Sequence, residues 1–138
     1  MLEGDRLPPM QAALISNNLA FHLLEGAGAG DVEEAKKLID FAIVELGPNP
    51  ELLDTRALVW LAMGEPQKAI SDLTETLILP TPQKHLHLAA AHLAANNIAG
   101  ARISFNKAIK EGIETASLGR QDREMVANLE KALGKRPR

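Results

Sequence analysis

A chain of 138 residues is the size of one domain and long enough to bury a sizeable core. Its residues are 46% hydrophobic but only 3% aromatic, so alanine and leucine must carry the packing, a composition that favours helix over sheet. The net charge of −3 offers no attraction to a phosphate backbone and argues against a nucleic-acid partner, and the absence of cysteine excludes disulfides, thiolate nucleophiles and sulfur-ligated zinc.

Residues 1–8 read as a disordered N-terminal segment. Pro8 and Pro9 suit a helix start, where a missing N–H costs nothing. The first helix is predicted from about Pro9 to Glu25, with Ile15, Leu19 and Leu23 recurring every four residues as one buried stripe. The glycines from Gly26 to Gly30 break it. Asp31 is expected as the next N-cap, with Glu34 as its capping-box partner. The second helix runs to about Leu46 and carries Ala35, Leu38, Ile39, Ala42 and Ile43 on one side. Gly47 to Pro50 stop it.

A third helix from about Glu51 to Met63 and a fourth from Pro66 to about Leu79 flank a tight turn at Gly64 to Pro66. Pro80 and Pro82 break the pattern again. The fifth helix spans about Gln83 to Ala95, and Asn96 and Asn97 form the turn because both tolerate left-handed backbone angles. The sixth runs from Ile98 to Lys110 and ends near Gly112. The last is amphipathic, from about Arg120 to Leu133, with Met125, Leu129, Ala132 and Leu133 as its apolar face. Residues 135–138 read as a frayed basic tail.

Seven helices without a plausible strand make an all-α fold. The spacing says more: Ala35 to Ala69 is 34 residues, Ala69 to Ala101 is 32, Ala57 to Ala89 is 32, and Ala20 to Ala57 is 37. Self-similarity near this period marks a stacked helical solenoid.

At these residues the chain resembles the tetratricopeptide repeat. Leu53, Arg56, Ala57 and Trp60 follow the order of that family's first helix, as do Ser16, Leu19, Ala20 and Leu23, and His85, Leu88, Ala89 and His92. In the second helix Ala35, Ile39 and Ala42 match, as do Ala101, Phe105 and Ala108, with Ala69, Leu73 and Thr76 a looser copy. Arg56 stands where the family has a leucine, and His85 and His92 where it has large residues. The resemblance implies an α-α superhelix of three repeats, at 9–50, 51–82 and 83–112, followed by a loop and capping helix at 113–134.

It also implies that the first helix of each repeat lines a concave groove that binds an extended peptide or a helix. The groove residues would be Asn17, Phe21 and Leu24 from the first repeat, Asp54, Leu58 and Leu61 from the second, and Gln83, His87 and Ala90 from the third. Family members that grip a C-terminal carboxylate use paired lysine and arginine on these faces. Asn17, Asp54 and His87 stand there instead, so no such clamp is expected.

Other chemistry finds little support. His85 and His92 are seven apart, about 10 Å by helical rise, too far to share an ion directly. His22 and Glu25 alone do not make a metal site. Packing of His85 and His92 at the repeat seam is the expectation, with His87 facing solvent or the groove. No nucleophile elbow or phosphate loop is present. No cofactor and no enzymatic activity are expected.

The leading expectation is therefore a protein-interaction module holding a peptide or protein segment. The alternative is the terminal section of a longer solenoid that stacks, caps or forms a homodimer through an exposed end. No apolar run approaches the roughly 18 residues of a membrane span, so no membrane insertion is expected. The start lacks the pattern of a secretion signal, which by itself implies a cytoplasmic chain. A fragment of a longer secreted or membrane-attached chain is the other reading.

Overall fold

A computed structural model describes residues 8–26, 28–113 and 117–134. The expectations of a disordered segment at 1–8 and a frayed tail at 135–138 fall, except for Pro8, outside the described residues, as does part of the loop before the last helix.

Among the described residues there are seven helices and no strand. They are α1 (Pro9–Gly26), α2 (Ala29–Leu46), α3 (Pro50–Ala62), α4 (Pro66–Thr76), α5 (Pro82–Ala94), α6 (Ile98–Lys110) and α7 (Arg120–Leu133). The starts follow from local chemistry. Pro50, Pro66 and Pro82 occupy first-turn positions, where proline loses no bond. Asn49, Thr81 and Asn97 accept hydrogen bonds from the N–H groups of Leu52, Lys84 and Gly100. Asn96 takes a φ of 61°, as the turn requires, and Asn97 becomes the N-cap of α6.

Two boundaries differ from expectation. α2 begins at Ala29 with Gly28 as its N-cap, so Asp31 lies inside the first turn and makes no cap. Its carboxylate still suits the positive end of the helix there. α4 ends at Thr76, not near Leu79. Pro80 disfavours helical angles at Leu79, and the Leu79 carbonyl is taken by the buried ammonium of Lys84, which also pairs with Glu51. Ile78 and Leu79 are left exposed.

α1 pairs with α2, α3 with α4 and α5 with α6. Successive pairs meet through α2 with α3 and α4 with α5. The notch positions explain the close approach. Ala20, Ala57 and Ala89 of the first helices, and Ala35, Ala69 and Ala101 of the second, are all fully buried. Ala57 and Ala69 share one cluster with Leu73, Leu88 and Ala91, as the hairpin demands. Among the described residues α1 also packs on α3 and α3 on α5, while no comparable contact joins α2 to α4 or α4 to α6. The first helices therefore form the tight inner layer of a curved stack.

The stripe expected on α1 is corrected. Ile15 and Leu19 are 52% and 47% exposed, and the buried face is Ala13, Ser16, Ala20 and Leu24. Both stripes have helical periodicity. The neighbouring helices select the one whose small residues permit close packing.

Candidate functional site

The inner face carries two distinct features. The first is a cleft of about 360 Å³ between α1 and α3, lined by Asn17, Asn18, Phe21, His22, Glu51, Asp54 and Thr55. Phe21 is exposed there, as are Asn18 and His22 beside it on α1. The Asn17 side-chain oxygen is buried, and no group among the described residues donates to it. A buried acceptor without a donor is uncommon in folded chains and marks a position suited to an incoming N–H.

The second is a buried chain of charge. His87 on α5 donates from Nδ1 to Asp54 of α3 at 2.7 Å and from Nε2 to Asp122 of α7 at 2.8 Å. A ring that donates from both nitrogens is an imidazolium. Burial alone would push its pKa down. The two carboxylates, by charge and hydrogen bond, overcome that and raise it to about 10. His87 is 3% exposed, so the expectation of a histidine facing solvent or an open groove is corrected.

The reason is α7. It does not simply extend the stack but reaches back across the first helices. Arg120 Nη2 donates to the Glu25 carbonyl at the end of α1, and Arg102 of α6 donates to the Leu133 carbonyl. Met125 packs against the cluster that contains Leu24, Leu52 and Leu58, and also against the one that contains Leu86, Phe105 and Leu129. The third-repeat part of the inner face is thus covered.

The residues expected to line one groove therefore divide. Asn17, Phe21 and Asp54 come together at the cleft. Leu24 and Leu58 are core residues, 3% and 1% exposed, and Leu61 is half-buried among the same side chains. Gln83 and Ala90 are half-buried on α5, outside the cleft. Sequence reasoning missed Asn18, His22, Glu51 and Thr55. Asn18 with His22 and Glu51 with Thr55 are four apart on helices already assigned to this face, so a wider stripe would have included them. Asp122 had no such signal, because it lies 35 residues from His87 and meets it only through the route of α7.

Arg56, the departure from the family's leucine, has its own partner. It makes two 2.7 Å hydrogen bonds to the carboxylate of Asp72 on α4, and Trp60 Nε1 donates to the same carboxylate at 3.1 Å. The arginine pKa is raised, chiefly by the hydrogen bond to Asp72. The ammonium groups of Lys36 and Lys68 lie 4.8 and 4.6 Å from the Trp60 ring centre. His85 is buried, with Nε2 3.4 Å from Glu111, and burial lowers the pKa of His92. Among the described residues no group of three or more histidines and carboxylates is placed to hold a metal ion, and no helix is long and apolar enough to cross a membrane.

No protein-family model and no curated protein matches the chain. Among solved structures, the Arabidopsis OM64 TPR domain is similar to it, with a TM-score of 0.70 and 17% identity, over 91% of this chain and 99% of that one. The likeness establishes the fold: paired helices in the tetratricopeptide arrangement, followed in the chain by a further helix.

Proposed function

We propose that this tetratricopeptide-fold chain is a non-enzymatic protein-interaction module that holds a protein segment at the cleft between α1 and α3. The observation that supports it most directly is the juxtaposition of an unused buried acceptor on Asn17 with an exposed aromatic ring on Phe21 in one cleft. Asn17 would take a backbone N–H of the segment and Phe21 an apolar side chain, while Asp54 and Glu51, paired with His87 and Lys84, would offer their remaining carboxylate oxygens at the margin. Among the described residues no lysine or arginine lines the cleft, which argues against a lone carboxylate end as its ligand.

The test is selection of displayed random peptides on the whole chain. Peptides should be enriched whose binding falls at least tenfold in the Asn17→Ala, Phe21→Ala double variant, while its helical circular dichroism is unchanged. Enrichment of peptides indifferent to both substitutions would sink the reading.

A second reading has its own observation. On the first pair Ile15, Leu19, Phe41 and Val44 are exposed. This apolar surface would let the chain stack end to end, either within a longer solenoid or as a homodimer.

A further inference from the structure

α7 is seated less like a core helix than like a bound ligand. Of its 14 residues only Leu129 is buried, while α5 buries seven of 13. Val126 and Leu133 pack half-buried beside Leu129, and the polar attachments of α7 include Asp122 on His87, Arg120 on the Glu25 carbonyl and the Leu133 carbonyl on Arg102, with Met125 over the seam of two clusters. Gly119 gives it no side-chain cap.

What lies beneath is a formed receptor. Asp54 accepts from Nδ1 on one edge of the His87 imidazole, so the Nε2 N–H on the other edge is aimed at whatever carboxylate occupies the position of Asp122. Met125 packs against the cluster of Leu24 and Leu58, which Leu61 also joins, and against the cluster of Leu86 and Ala89. Asp122, Met125 and Leu129 stand three and seven residues apart on one helical face, so a single stripe supplies the charge and both apolar contacts.

We propose that α7 is a displaceable resident of the inner face, and that this face takes, in trans, an amphipathic protein helix bearing a carboxylate followed by apolar residues three and seven positions later. This deepens the interaction reading above and rests on it. The cleft between α1 and α3 would remain open beside the incoming helix, and α7 would have to leave before the helix could enter.

The experiment uses the full chain and a fluorescent synthetic peptide of residues 117–134. Asp122→Lys in the chain sets a cation against His87 and should unseat its own α7. The peptide should bind that variant at least tenfold more tightly by fluorescence anisotropy than it binds the unaltered chain. A peptide that itself carries Asp122→Lys or Met125→Glu should lose at least tenfold. Equal binding to both chains, or equal binding of all three peptides, overturns the proposal.

Amide hydrogen exchange on the unaltered chain supplies a readout that does not depend on the variant folding. The amides of α7 should exchange at least tenfold faster than those of α5, in a separate step. Exchange of α7 only with global unfolding would make it an ordinary core helix and overturn the proposal as well. The hydrogen bonds that hold α7, on His87, Arg102 and the Glu25 carbonyl, do not involve Asn17 or Phe21, so peptide selection through those two can succeed while this inference fails, and the two failures are told apart.

Discussion

Asp72 accepts three hydrogen bonds from two side chains in a largely buried site, and this makes the unusual Arg56 intelligible. Arg56→Leu would restore the residue the repeat pattern leads one to expect, yet it would strand the carboxylate. The expected cost is about 1–3 kcal/mol by chemical denaturation. Adding Asp72→Leu should recover most of that loss, because it removes the stranded charge and leaves only the half-buried Trp60 N–H without its acceptor. A double variant as unstable as the single one would contradict the account. His87 gives a prediction in pH. Below about 6.5 the imidazole is charged in both folded and unfolded chains, and its contribution to stability is fully present. Above that the unfolded group loses its proton while the folded one keeps it, so stability falls by up to about 1.4 kcal/mol per unit until the folded group titrates near 10. His87→Gln should flatten the curve in that window, and at pH 6 it should cost about 3–5 kcal/mol by leaving two inner carboxylates without their cation. Neither cluster was legible beforehand. Arg56 stood out as a departure but pointed to no partner, and His87 could be placed on the inner side but not beneath a helix.

The helical elements were far more legible than these side-chain meetings, for a physical reason: proline starts, asparagine and threonine caps and alanine notches act within a few residues. Pro50, Pro66, Pro82, Asn49, Thr81 and Asn97 all act where local rules place them. Asp31 failed as a cap because Ala29 and Gly30 before it lie inside α2 and Gly28 takes the cap position. The α1 stripe failed because periodicity gives a helix two candidate faces and the neighbours decide between them. The notch itself gives a sharp test. Ala57→Leu or Ala69→Leu inserts bulk where α3 and α4 touch, and should cost about 1–3 kcal/mol in thermal or chemical denaturation. Ala62→Leu, on the exposed end of α3, should change stability by less than about 0.5 kcal/mol.

At the scale of the whole molecule, the repeat period announced a curved stack but not its covering, since the route of α7 depends on contacts between distant parts of the chain. The uncovered apolar residues of the first pair carry the stacking reading into solution. If they mediate a homodimer, light scattering at high concentration should show a mass near twice that of the chain, and Leu19→Lys should abolish it. A mass of one chain at every concentration would remove the homodimer from consideration. The asymmetry of the layers has a mechanical consequence. α1, α3 and α5 are joined edge to edge, while α2, α4 and α6 make no comparable contact with one another. A strip fastened along one margin and slit along the other opens and closes like a fan. Its softest motion spreads or gathers the slit margin and leaves the fastened one nearly constant in length. Such a sheet can tighten or relax its arc without breaking a single hairpin.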